Sequence, residues 1–171
     1  MARFWTGLLL FCALITTAQG QSTNRWGAWE PFLGTWVGGG SGEPGKGSGQ
    51  FSFSPELQGA ILSRHSYAEY PATKDKPAYR HDDLMVIYAD DADKKTRAYY
   101  WDNEGHVIHY IVDVAADKLV FISDPNQAGP AYRLSYAKTS QDALTLTFEI
   151  APPNDRAAFK TYITATAHRK P

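Results

Sequence analysis

The run Gly34-Thr35-Trp36-Val37-Gly38-Gly39-Gly40-Ser41-Gly42 constrains this chain more than any other stretch. A Trp on a strand needs a buried slot and a partner for its indole N–H. Glycines interleaved along a strand weaken it, and they mark a sharp bend or a close approach of backbones, as at a barrel corner. A first strand of this kind makes a poor sheet edge and a plausible wall for a small closed barrel.

The remaining sequence supplies the other walls. Phe51 and Phe53 alternate with Gln50, Ser52 and Ser54, and Leu144, Leu146, Phe148 and Ile150 alternate with Thr145, Thr147 and Glu149. Such period-two alternation marks a strand wet on one face only. Strands are expected at 35–41, 46–54, 60–70, 83–88, 96–101, 106–114, 118–123, 131–136, 144–150 and 159–169. Glu43-Pro44-Gly45, Pro152-Pro153-Asn154-Asp155 and the polar 71–77 stretch break them, and Asp102-Asn103-Glu104-Gly105 is a tight-turn signal. About ten strands with short links and no useful helical period predict an all-β fold. Meander-like links favour an antiparallel up-and-down barrel over a Greek-key sandwich, which needs long crossings.

The first twenty residues read as a signal peptide: Arg3 is a short basic region, 4–18 is apolar, and Ala18-Gln19-Gly20 supplies small residues for cleavage. The apolar run is shorter than the ~20 residues of a spanning helix, and no later segment is apolar enough to span. The alternative is an N-terminal membrane anchor. The sequence therefore divides into a signal peptide (1–20), a polar tail and short turn (21–31) and one barrel domain (32–171). A secreted or periplasmic location is expected, with no membrane contact after cleavage. The single cysteine, Cys12, leaves with that segment, so disulfides and cysteine ligands are excluded from the mature chain. Cleavage also removes one of 17 basic residues, leaving 16 against 18 acidic ones and a net charge of −2. A nearly neutral chain without basic runs argues against nucleic acid as a partner.

Gly34-Thr35-Trp36 ahead of a glycine-rich strand, His81-Asp82-Asp83-Leu84 at mid-chain, the Trp101–His106 hairpin and Arg169 near the end of the last strand together resemble the calycin superfamily. That group holds the lipocalins, fatty-acid-binding proteins and haem-binding nitrobindins. The chain looks closest to a bacterial family of secreted lipocalin-like barrels with no assigned function. The resemblance implies that Arg169 covers Trp36 at the closed end as a structural lock. Strand parity agrees, since Phe159, Ile163, Ala165, Ala167 and Arg169 share one face. It also raises haem, which nitrobindins hold through a His on the last strand. Here that region reads Thr161-Tyr162-Ile163, and His168 has outward parity, so no cofactor is expected, with a Tyr ligand the remaining route to haem.

Candidate site residues are the aromatic and imidazole groups that an inward face would bring to the lumen. His65 and Tyr67 share one strand face, as do Tyr99 and Trp101. Tyr110 goes with His106 and Ile108, and Tyr132 with Leu134 and Tyr136. With Trp36, Phe53 and Phe148 they would line an amphipathic lumen, with Arg64 or Arg97 orienting a polar head near the mouth. The alternative is that these rings simply fill the barrel. His81-Asp82-Asp83 reads as a solvated turn at a loop–strand junction. No metal is expected: His106 and His109 face opposite sides of a regular strand, and a mononuclear site needs three or four ligands converging from several strands. The expected function is binding of a small hydrophobic or amphipathic molecule. The sequence carries no nucleophile elbow, metalloprotease box or phosphate loop, so an enzyme reading rests on Asp83, His65 and Tyr67 as an acid–base set of isomerase, cyclase or hydrolase type.

Overall fold

The computed structural model describes residues 25–171, so the expected signal peptide lies outside the described residues. Ten strands follow a short 3-10 helix, Gly27–Phe32. They are β1 (Gly34–Gly42), β2 (Gly47–Glu56), β3 (Ile61–Tyr70), β4 (Tyr79–Ala89), β5 (Thr96–Asp102), β6 (Val107–Val114), β7 (Lys118–Ser123), β8 (Ala131–Lys138), β9 (Ala143–Ala151) and β10 (Lys160–Arg169). Each pairs antiparallel with its chain neighbour, and β1 pairs with β10 to close the barrel. This is the antiparallel up-and-down barrel that the sequence predicts. Among the described residues no helix is long and apolar enough to cross a membrane.

The glycines of β1 let the barrel close. A Cβ at Gly38 would sit 2.0 Å from the Thr166 carbonyl oxygen, and one at Gly40 2.1 Å from that of Thr164. Only a residue without a side chain permits β1 and β10 to approach so closely at the corner.

One end is plugged. Trp29 and Phe32 of the 3-10 helix are fully buried, and Trp29 meets Phe53 and Phe121 edge-on at 5.7 and 6.0 Å. The Trp26 indole donates to the Gly59 carbonyl at 2.8 Å, tying the segment to the β2–β3 turn. Trp26 and Trp29, which the sequence reading assigns to a tail, thus belong to the barrel core. Trp36 donates its indole N–H to the Phe32 carbonyl at 2.8 Å, and the Arg169 guanidinium lies 4.4 Å from its ring centroid. Arg169 also donates to the carbonyls of Leu33 and Pro31, at 2.5 and 2.9 Å.

Two elements depart from expectation. β4 begins at Tyr79, so His81, Asp82 and Asp83 lie within a strand and do not form a solvated turn. The long β3 templates this extension: Tyr70 pairs and stacks with Tyr79 at 4.6 Å, and Arg80 bonds Glu69 and Asp82. In β10 a bulge between Thr161 and Ile163 turns Tyr162, which by sequence parity shares the outward face of His168, into the mouth of the lumen, where it meets Phe148 edge-on at 6.1 Å.

Candidate functional site

Above the plug, the lumen holds a cavity of about 420 Å³ that opens between the β1–β2, β3–β4 and β5–β6 loops. Its two sides differ in chemistry because strand alternation places polar side chains inward on β3–β5 and apolar ones inward on β8–β10.

On the polar side, Arg64 lies at the cavity floor, paired with Asp83; their side chains are only 5% and 6% exposed. The guanidinium also sits 5.6 Å from the Phe51 ring centroid and 5.7 Å from that of Tyr136. Burial works against its charge, but Asp83, helped by the Tyr136, Tyr100 and Tyr110 oxygens, more than offsets this and holds its pKa above the ordinary Arg value. Its Nε and the Tyr136 hydroxyl are buried without hydrogen-bond partners among the described residues. Burial pushes the hydroxyls of Tyr100, Tyr110 and Tyr136 upward, so all three stay neutral donors.

A polar chain climbs from there to the rim. Tyr100 donates to Asp102 at 3.0 Å, so its oxygen is left to accept from His81 Nε2, also at 3.0 Å. His81 Nδ1 lies 2.9 Å from Glu104, and His106 Nδ1 lies 2.8 Å from Asp102. Among the described residues no three His, Cys, Asp or Glu side chains form a metal-holding group.

The facing side is apolar. Tyr132 and Phe148 lie parallel within 5° at 6.0 Å, beside Leu134, Leu146 and Ile163. At the rim, burial together with Tyr79 and Tyr162 pushes the Tyr70 hydroxyl up to about 12.

The residues singled out from sequence divide between lumen, plug and outer surface. Tyr110, Tyr132 and Phe148 line the cavity, whereas Trp36 and Phe53 are fully buried in the closed end. His65, Tyr99 and Trp101 lie outside the cavity lining, in correction of the parity assumed for them, while Tyr67 borders the cavity with its ring under Arg80. His65 and Tyr67 alternate with the inward Leu62, Arg64 and Ser66; His65 is exposed, and Tyr67 lies beneath Arg80 at 3.9 Å. Tyr99 and Trp101 are 37% and 40% exposed, because the inward places on β5 belong to Ala98 and Tyr100. The acid–base set of Asp83, His65 and Tyr67 is therefore split across the barrel wall. Arg97 is likewise absent from the lumen lining and bonds Asp90 and Asp93. Sequence reasoning placed Asp83 in the lumen only as a partner of His65 and Tyr67, and it missed Tyr100, Asp102 and the inward role of His81. Their signal was the shared parity of His81 and Asp83 with Met85 and Ile87.

Asp102 gives the site a measurable pH dependence. Burial opposes its charge, but bonds from the His106 backbone and ring and from Tyr100 hold its pKa below the usual carboxylate value. A depressed folded-state pKa stabilises the fold above the unfolded value of about 3.9, and that contribution disappears as pH falls through the folded value. Asp102→Asn is expected to lower the urea midpoint at neutral pH and to converge on wild type in acid. Parallel midpoint–pH curves for the two proteins would overturn this.

No family model matches the chain, and no curated protein matches it in sequence. Among solved structures, it is similar to EF1p2_mFAP2b bound to DFHBI, at 14% identity, covering 84% of this chain and 97% of that one, with a TM-score of 0.42. It is also similar to the S-type phycobiliprotein lyase CPES from Guillardia theta, at 9% identity, covering 84% and 90%, with a TM-score of 0.48.

Proposed function

We propose that this protein binds a small, partly hydrophobic molecule in its lumen, as a secreted or periplasmic barrel. One observation carries the reading: the barrel is packed solid at its plugged end but open above it, where a cavity of about 420 Å³ has one apolar and one polar side. That size falls within the roughly 300–1,000 Å³ of small-molecule sites, and an apolar lining with a few convergent polar groups is their usual make-up. The secreted setting is supported by the basic, apolar and small-residue order of residues 3–20.

Nile red, a neutral dye that brightens in apolar surroundings, tests the reading. Saturable, one-to-one uptake is expected from the wild-type chain. Leu146→Trp, which places an indole in the apolar side of the cavity, should weaken uptake at least about tenfold, or ~1.4 kcal/mol. Circular dichroism checks that the barrel is retained. Absence of saturable uptake, or equal uptake by a folded Leu146→Trp variant, counts against lumen binding. An absorbance scan across the Soret region of protein purified without denaturation tests haem with the same sample.

A further inference from the structure

The ionised groups of the lumen are arranged to select the ligand's head. Arg64 is the only cation at the cavity floor among the described residues, and Asp83 already pairs with it. Asp102, with a side chain only 3% exposed, adds a second deep carboxylate to the same wall. The deep part of the cavity thus holds two carboxylates against one guanidinium. The histidines do not reverse this. His81 faces Glu104 at 2.9 Å and Asp83 at 3.8 Å, while His106 faces Asp102 at 2.8 Å, so a proton gained by either ring answers a carboxylate already present. A carboxylate ligand entering here would meet two like charges in a water-poor site, where charge repulsion is strongest.

Hydrogen-bonding capacity points the same way. A guanidinium carries five N–H donors and no acceptor. One bond joins Arg64 to Asp83, and its Nε has no partner. The neighbouring Tyr110 and Tyr100 are held neutral by burial and line the same cavity. The floor has donors to spare and a surplus of negative charge. What satisfies both is an acceptor without a charge.

We infer that the lumen takes an uncharged, largely apolar molecule that presents a carbonyl-type oxygen to Arg64, and that it turns away carboxylates of the same shape. This rests on the lumen-binding reading above and specifies its ligand. The apolar Tyr132, Phe148, Leu134 and Leu146 side would hold the body, and the two parallel rings suit a flat one.

A matched pair of competitors isolates the head group: 6-methoxy-2-acetonaphthone and 6-methoxy-2-naphthoate, which share one body and differ in ketone or carboxylate. Each displaces Nile red from the purified chain in mildly alkaline buffer. The ketone is expected to compete at a concentration at least about tenfold lower than the naphthoate. Asp83→Asn and Asp102→Asn each remove one deep negative charge and should narrow that ratio. Tighter or equal competition by the naphthoate at wild type overturns the ligand class while leaving lumen binding intact. An unchanged ratio in folded carboxylate variants overturns the electrostatic cause. Failure of Nile red itself to bind saturably removes the lumen reading and this inference with it.

Discussion

Replacing Trp36 with Ala is expected to cost about 3–5 kcal/mol of folding stability, the range for truncating a large buried aromatic. The residue is fully buried, and three separate contacts converge on its ring. Its N–H bonds the Phe32 carbonyl, Phe51 stacks at 6.4 Å, and Arg169 covers it at 4.4 Å. The loss should exceed the lost area alone, because the indole joins the plug to the strand that closes the barrel: Trp36 pairs with Arg169 across the β1–β10 seam. Trp36→Phe keeps most of the apolar volume but leaves the Phe32 carbonyl without its donor, costing about 1–3 kcal/mol. Arg169→Ala removes a partly exposed cation–π contact of about 1 kcal/mol together with two bonds to the Pro31 and Leu33 carbonyls. Urea denaturation of the three variants checks the order. A Trp36→Ala cost below that of Trp36→Phe would mean that the indole does not hold the closed end.

The barrel was legible because closure and alternation leave marks in composition. The glycines of β1 have no role in an ordinary strand, and the structure shows the Cβ positions of Gly38, Gly40 and Gly42 occupied by the β10 backbone. The alternation at Phe51 and Phe53 and along 144–150 fixed inward faces correctly, since one face there is plainly apolar. Parity failed where both faces are mixed. On β3 the choice lay between Leu62, Arg64 and Ser66 and the row Ser63, His65 and Tyr67, and a one-residue shift exchanges every side chain. Arg64 is inward because Asp83 meets it there, and that partner lies on another strand, beyond any local pattern.

β5 misled for a different reason. Tyr99 and Trp101 look like lumen aromatics, yet on the outer wall they shelter one another. Tyr88 stacks on Tyr99 at 6.0 Å, Trp101 lies at 5.9 Å, and His109 meets Tyr99 edge-on at 4.3 Å. A row of this kind hides apolar surface without a core, so aromatic content alone does not identify an inner face. The bulge that brings Tyr162 to the mouth has no local signature either, because it adds one residue to a strand whose composition is unchanged.

The Arg64–Asp83 pair should give the second large effect, and a nonadditive one. Each side chain is almost wholly buried, so removing one partner strands a charge where water cannot reach it. Arg64→Met alone and Asp83→Leu alone are each expected to destabilise the fold by about 3–5 kcal/mol. The double variant, which replaces the ion pair with apolar groups of similar length, should recover most of that loss, so the coupling should lie well above the usual ~0.5–3 kcal/mol range. Urea midpoints for the four proteins complete the cycle, and additive losses would show that the two charges do not answer one another. If the double variant matches or exceeds wild type in stability, the pair is not retained for folding. A buried ion pair is weak support for a fold, and replacing one with apolar groups is often neutral or favourable. Its place at the floor of an open cavity then fits a role in meeting a ligand. Loss of the ketone preference in a double variant as stable as wild type would tie that role to the pair directly.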